Sequence, residues 1–394
     1  MTEHILHSFE SGRRGKPDEL DANIAHLIGL HLLQKDPRAR FDLRVAGGYD
    51  HLARKPKIRI SGEVSSHLLE DTLYDEIKDL IRVHYNRIQQ AGYDEQHFMF
   101  DFGFKPQSTT LATNGKVGDS GNPIAVAYRK SPHYLPWERF LSVGIRDLFD
   151  DIYASDGFVG EELRRLTGIE QLSGLCADGK IGVDALYKGA SFQEISAITI
   201  ALEHTEPTLF VGFQQHAELI LGKYLKQLEQ RQDQNLGKPL IIINGLGPWT
   251  RGGWEVDEGN REAKSYRDGF GTYGVMEDSF SGEDPSKPSG TGTFLARYIA
   301  VQVVGNQLSD FARVALRYTI GQEEVGLNIT TNGTSKLPQE ELHAWVRENI
   351  PLGIKETIER FNLCNPALYH QIVDDSDFFQ SQDLPWNKLE VKYK

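Results

Sequence analysis

Apolar residues recur at helical spacing soon after the chain begins. Leu20, Ile24, Leu27, Ile28 and Leu32 follow the turn Gly15-Lys16-Pro17-Asp18, which predicts an amphipathic helix with Pro17 in the first turn, where a missing N–H is harmless. Residues 57–66 alternate as a strand does, and Leu73, Ile77, Leu80 and Ile81 then mark a second helix. The order strand, short loop, helix returns twice, as residues 196–203 before 217–230 and residues 325–331 before 339–349. Three such units spaced about a third of the chain apart predict an α+β protein of pseudo-threefold β/α domains, each sheet covered on one face by helices. The divisions fall near 1–125, 126–240 and 241–394, with the domains interleaved. Glycine-rich stretches at 115–121, 244–259 and 269–292 separate the units, and long connections of this kind in compact proteins often carry function.

Composition narrows the classes. A chain of 394 residues buries ample core without disulfides or structural metals. Its apolar fraction of 39% and charged fraction of 25% are those of a globular protein, and no stretch approaches the ~18 apolar residues of a membrane span. The opening residues MTEHILHSFESGRRGKPDE lack the features of a secretory signal. The two cysteines, Cys176 and Cys364, lie far apart, giving neither a disulfide framework nor zinc spacing. A cytoplasmic protein is expected, with no membrane partner. The formal charge of −13 argues against nucleic acid, which is held by clustered Lys and Arg. An anionic substrate would need a local basic pocket.

Particular motifs carry a resemblance. FSGEDPSK at 280–287, followed by Ala296-Arg297-Tyr298, resembles the FSGKDPSK segment of the S-adenosylmethionine synthetases (methionine adenosyltransferases). ESGRRGKPD at 10–18 resembles their ES…GHPD motif, and SGE at 61–63 their GGE. GDSG at 118–121 resembles GDQG, DGK at 178–180 resembles DAK, and YTIG at 318–321 resembles YAIG. Asn244, Gly252, Gly253 and Asp257 keep the spacing of NPTG…GGPMGD, and LPW at 384–386 resembles FPW. The order is unchanged over almost the whole chain, so the sequence is identified as a divergent member of that family.

The resemblance implies a reaction in which the sulfur of methionine displaces triphosphate from the 5′ carbon of ATP, and the triphosphate is then split to phosphate and diphosphate. A thioether needs no general base, so catalysis would come from in-line positioning and from cations that neutralise the leaving group. By resemblance, Glu63 and Asp257 would hold the methionine ammonium, Asp119 would lie beside the reacting sulfur and ribose, and Ile320 would pack on the thioether. Trp249 would stack on adenine, with Glu10 and Asp178 also on the substrate-binding side. Lys16, Lys180, Lys264 and Lys287 would face the phosphates, and Asp18 would be a Mg²⁺ ligand. Each has a plainer reading. Glu63 alone would be a solvated strand residue, Asp119 and Asp257 ordinary turn residues, Trp249 and Ile320 core, the lysines solvated surface, and Asp18 a complement to the positive start of its helix. Because the family's site lies between subunits, a homodimer or homotetramer is implied, with ATP and methionine or related compounds as ligands.

Departures cluster at the phosphate end. Lys16 replaces a family histidine and Glu19 a lysine; Ala263 replaces an arginine, Glu283 a lysine and Ser289 a Mg²⁺-binding aspartate. Arg44 occupies the position of a glutamate that binds K⁺, where a guanidinium could stand in for that ion. The gating loop before GDSG is cut to residues 114–117. A lysine-to-glutamate reversal ~4 Å from a bound phosphate counts several kcal/mol against it, which Arg13, Arg14 and Arg261 could offset. Three readings remain open: a methionine adenosyltransferase with a rearranged phosphate site; an enzyme of the same fold joining or splitting a nucleoside and another amino acid or phosphate group; and a non-catalytic nucleoside-binding paralogue.

Overall fold

The computed structural model describes residues 4–107, 119–205, 209–259, 269–274, 282–375 and 377–393. Strand β1 (His4–Gly12) turns into helix α1 (Pro17–Lys35). A hairpin of β2 (Phe41–Asp50) and β3 (Lys55–Val64) leads to α2 (Asp71–Gln89) and β4 (Met99–Pro106). After β5 (Ile124–Tyr128), α3 (Trp137–Ala154) and the short α4 (Glu161–Thr167), the plan repeats as hairpin β6 (Leu175–Lys188) and β7 (Ser191–His204), then α5 (Phe210–Gln232) and β8 (Leu240–Ile243). A third version follows as α6 (Pro288–Gly305), β9 (Phe311–Arg317), β10 (Gly326–Thr330) and α7 (Gln339–Asn349), with α8 (Ile354–Phe361) and α9 (Pro366–Asp375) closing the chain.

The three sheets have the orders β2-β3-β4, β1-β6-β7-β8 and β10-β9-β5. The pairs β3–β4 and β7–β8 are parallel, and parallel neighbours need a crossover, here supplied by α2 and α5. This is the α+β arrangement that the repeated strand–loop–helix pattern predicts. The helix expected from residue 217 starts earlier, at Phe210. Two strands leave their own part of the chain. β1 pairs with β6, placing Glu10 opposite Gly182, and β5 pairs with β9, placing Ile124 opposite Ala315.

Alternation in β2 and β3 sends Phe41, Leu43, Val45, Ile58 and Ile60 into a core shared with Leu20, Ile24, Ile28 and Leu32 of α1 and Leu73, Ile77 and Ile81 of α2. Each such side chain contributes about 1.5–3 kcal/mol by leaving water. The opposite side of the sheet carries Asp42, Arg44, Arg59 and Glu63, all half-buried or exposed. α1 departs from the surface helix that its spacing suggests, because Asp18, Glu19, Asp21, Asn23 and His26 are buried as well. It lies between layers, and its polar stripe faces protein rather than solvent. α6 is buried along most of its length too. Trp386 of the LPW motif, itself fully buried, stacks on Phe294 of α6 at 3.9 Å.

The β1-β6-β7-β8 sheet has one face in the core, with Ile181, Val183, Ile198, Ile200 and Leu202. Its other face presents Leu6, Leu186, Ala197, Ala201, Leu240 and Ile242 together with Glu10 and Lys180, none of them buried. No helix among the described residues is long and apolar enough to cross a membrane.

Candidate active site

Two groups of charged residues form where the motifs meet. The first surrounds the start of α1. Arg13 is fully buried, donates to Asp150 at 2.9 Å and to the carbonyls of Cys176 and Phe149, and so fixes the β1–α1 turn against its neighbours. It therefore does not offset the lost phosphate-binding cations, because its guanidinium is spent on protein groups. Arg14 also turns towards Asp150, at 3.9 Å. Gly15 is required by close approach, since a Cβ there would lie 2.3 Å from the Cβ of Ala177. Lys16 follows, and its Nζ donates to Asp18 at 2.6 Å and stands 3.8 Å from Asp257. Burial alone would depress the Lys16 ammonium, but Asp18, Asp178 and Asp257 outweigh it and hold the pKa above its ordinary value.

Asp178, also buried, accepts from Gly179 N–H at 2.6 Å and from Gly253 N–H at 2.7 Å. Burial pushes its carboxyl up to about 6, and the nearby Glu203 carboxylate adds to the shift. Lys180 pairs with Glu10 at 3.1 Å on the open face of the four-stranded sheet. Trp249 is half-buried in the loop after β8, its indole N–H donating to Arg251 O at 2.6 Å. Asn244 ties the base of that loop to both backbone groups of Leu202. Asp257, at the far end, is exposed apart from its approach to Lys16.

The second group surrounds the start of α6. Gly282 and Asp284 pair with the backbone of Leu43 and Phe41, docking this segment on β2. Lys287 then reaches Asp119 at 3.1 Å and Asp42 at 3.4 Å. Burial opposes its charge, but Asp42, Asp119 and Glu283 hold the ammonium above its ordinary range. Asp42 faces Glu63 across the β2–β3 pair, where opposed side chains have Cβ atoms about 5 Å apart. The GDSG and YTIG motifs meet through a bridge between Gly121 and Tyr318, and Ile320 N–H donates to Ser120 at 3.2 Å. Ile320 is half exposed. Arg44 is exposed on the same face as Glu63.

Glu283 does not face outward with Lys287. It is buried, accepts from Ser289 Oγ at 3.3 Å, and lines an internal cavity with His26, Tyr369, Phe378 and Trp386. The charge reversal that sequence sets against a bound phosphate therefore acts from inside, by tightening the proton on Lys287. Lys264, Ala263, Arg261 and residues 114–117 lie outside the described residues. Sequence reading missed Asp42 and Glu203. Alternation places Asp42 opposite Glu63, whereas no local pattern marks Glu203.

Among the described residues no three His, Cys, Asp or Glu side chains gather as a metal cage. Mg²⁺ usually takes one or two carboxylates and completes its shell with substrate phosphates and water. Asp18, the Mg²⁺ ligand that the resemblance implies, holds Lys16 Nζ at 2.6 Å on one carboxylate oxygen, and Ser289 supplies no second carboxylate.

The similarities to known proteins run the length of the chain. Residues 251–388 match the family described as S-adenosylmethionine synthetase, C-terminal domain. The S-adenosylmethionine synthase of Acholeplasma laidlawii is 29% identical over 404 residues, covering 98% of this chain and 97% of the relative. That of Aquifex aeolicus is 26% identical over 396 residues, covering 98% and 96%. That of Mycoplasmopsis pulmonis is 26% identical over 404 residues, again covering 98% and 96%. With its motifs in order, its α+β architecture and these similarities over nearly the full length, the chain is similar throughout to the S-adenosylmethionine synthases, and residues 251–388 match that family's C-terminal domain.

Proposed function

We propose that the chain is a methionine adenosyltransferase, converting ATP, L-methionine and water to S-adenosylmethionine, phosphate and diphosphate, with fewer protein charges at the triphosphate end than its relatives use. The observation that carries this reading is the pair of lysine–carboxylate groups, Lys16 with Asp18 and Asp257, and Lys287 with Asp42 and Asp119. Displacement by a neutral sulfur needs no proton removed, so the lysines serve by stabilising charge on the departing triphosphate. Lys16, Lys180, Lys264 and Lys287 take that role. Asp257 and Glu63 hold the methionine ammonium, Asp119 steadies the developing sulfonium, Ile320 packs on the thioether, and Trp249 offers a π face to adenine. Glu10 and Asp178 stand on the nucleoside side. Mg²⁺ held by Asp18 would neutralise phosphate oxygens when bound.

The two groups lie at opposite ends of one strand. Asp42 begins β2, and Gly47, which accepts from Gly259 N–H just beyond Asp257, lies near its other end. Five residues of strand span about 16 Å, too far for one methionine to touch both groups. A second copy of the chain, related by a twofold axis, would bring the α1 group of one protomer against the α6 group of the other. The uncovered apolar residues of the four-stranded sheet favour such a homodimer. Sedimentation at micromolar concentration should give a dimer or larger; a monomer would remove this part of the reading.

Mass analysis of products from ATP, methionine and Mg²⁺ tests the reaction, and S-adenosylmethionine is the expected product. The inward turn of Glu283 and Ser289 favours a second reading, in which the same fold acts on a nucleoside carrying fewer phosphates. A different adduct or phosphate product would select it, and binding without turnover would leave a non-catalytic paralogue. Asp257→Asn and Glu63→Gln should each weaken methionine by about tenfold or more, the value of a charge-assisted contact, while nucleotide affinity changes little. Calorimetry reads both, and unchanged methionine affinity in both variants would move the ammonium site elsewhere.

A further inference from the structure

The loop that carries Trp249 and Asp257 is held at its middle by two carboxylates from adjacent strands. Glu203, near the end of β7, accepts from Gly252 N–H through Oε1 at 2.7 Å and from Asp178 N–H through Oε2 at 3.3 Å. Asp178, on β6, accepts from Gly253 N–H at 2.7 Å. Consecutive N–H groups of the loop are thus gripped by consecutive strands. The contact leaves no slack: a Cβ on Gly252 would lie 2.7 Å from both Asp178 Cβ and Glu203 Cδ, and Gly253 has a φ of +64°, a conformation that favours glycine. On the same side, Trp249 O accepts from His204 N–H at 3.0 Å, so the loop is stitched to the end of β7 at two points. Beyond the grip, Trp254 is buried and donates to Asp21 at 3.2 Å, and Asp257 emerges three residues later beside Lys16.

We propose that Glu203 is a positioning residue: with Asp178 it clamps the Gly252–Gly253 turn and so sets where Trp249 and Asp257 stand relative to Lys16. The ligands involved follow from the adenosyltransferase reading above, whereas the clamp itself stands on the contacts. Trp249 precedes the clamp and Asp257 follows it. Losing the clamp should therefore displace both the nucleoside and the amino-acid contacts, while Lys180 and Lys287, which other elements carry, stay in place. The expected signature is weaker substrate binding with little change in turnover.

The experiment compares wild type, Glu203→Ala and Glu203→Gln, with amide hydrogen exchange over residues 249–257 as the first readout and KM against kcat for ATP and methionine as the second. Glu203→Ala should speed exchange across this segment by about tenfold, as loss of a charge-assisted hydrogen bond would, leave exchange in β2 and β3 unchanged, and raise both KM values several-fold with kcat nearly constant. Glu203→Gln keeps a carbonyl for Gly252 N–H and should restore most of the protection and most of the KM. Should Glu203→Ala not fold, Gly252→Ala, which strains the same contact from the loop side, is expected to give the same exchange result. Unchanged exchange in a folded variant overturns the clamp. Faster exchange with rescue by Gln supports it even if wild type forms no S-adenosylmethionine, in which case the reaction assignment alone fails.

Discussion

Lys16-Pro17-Asp18 and Lys287-Pro288-Ser289 open two buried helices in the same way. Both lysines cap their helix with extended backbone, at φ −64° and ψ 138° for Lys16 and φ −76° and ψ 130° for Lys287, and proline follows in the first turn of each. The third residue differs. Asp18 turns back to Lys16 at 2.6 Å, whereas Ser289 turns inward to Glu283, and Lys287 finds its carboxylates on β2 and in the GDSG loop. One local design thus yields, at α1, a lysine held closely by a carboxylate two residues away and more loosely by Asp257, and, at α6, a lysine whose paired carboxylates all come from distant segments. A lysine before a helix start is placed by the backbone, but its partners are chosen by what the fold brings near.

Glu283→Lys should break this comparison most severely. It would put an ammonium into an internal cavity beneath Lys287, and an uncompensated buried charge costs about 3 kcal/mol or more. Chemical denaturation should show that loss. Unchanged stability with tighter tripolyphosphate binding would mean that the carboxylate faces the phosphates after all. At α1 the tight element is the turn, where Gly15→Ala forces a Cβ against Ala177 and should cost about 2 kcal/mol by overpacking. A Tm equal to wild type would refute that contact. Lys16→Met and Lys287→Met should each weaken tripolyphosphate about tenfold, or ~1.4 kcal/mol, if both helix starts face the same leaving group. A loss confined to one variant would end the parallel. Ser289→Ala should do least, removing one weak hydrogen bond at a cost of about 0.5–1 kcal/mol, and a larger loss on denaturation would show that Ser289 secures Glu283.

Local features were readable in the sequence. The start of α1 at Pro17, the alternation of β3 and the strand–helix repeats each depend on neighbours a few residues apart, and the structure has them. The exchanged strands were not readable. Nothing within β1 tells whether it pairs with β2 or with β6, since alternation marks which side chains share a face and not which strand lies alongside. Arg13 misled for a similar reason: an arginine in a glycine-rich turn reads as a phosphate ligand, and only the approach of Asp150 from α3 turns it inward. Of the candidate site, motif matching found both lysines and their acidic neighbours Asp18, Asp119 and Asp257. It passed over Asp42 and Glu203, which matter through their place in a sheet rather than through a motif.

Strand exchange also governs when the protein becomes competent during synthesis. The Lys16 turn is secured by Arg13–Asp150, a contact 137 residues long in sequence, and β1 has no partner until β6, which ends at Lys188, has been made. Closing so long a loop costs entropy that nearby contacts cannot return early, and such long-range pairing slows folding. A nascent chain carrying only its first hairpin–helix unit therefore holds its N-terminal strand unpaired, with Leu6 and Phe9 open to association. Lys287 waits still longer, since its segment docks on β2 only after most of the chain has emerged. Binding capacity thus arrives near the end of synthesis, and fragments cut between the units should be insoluble rather than partly active.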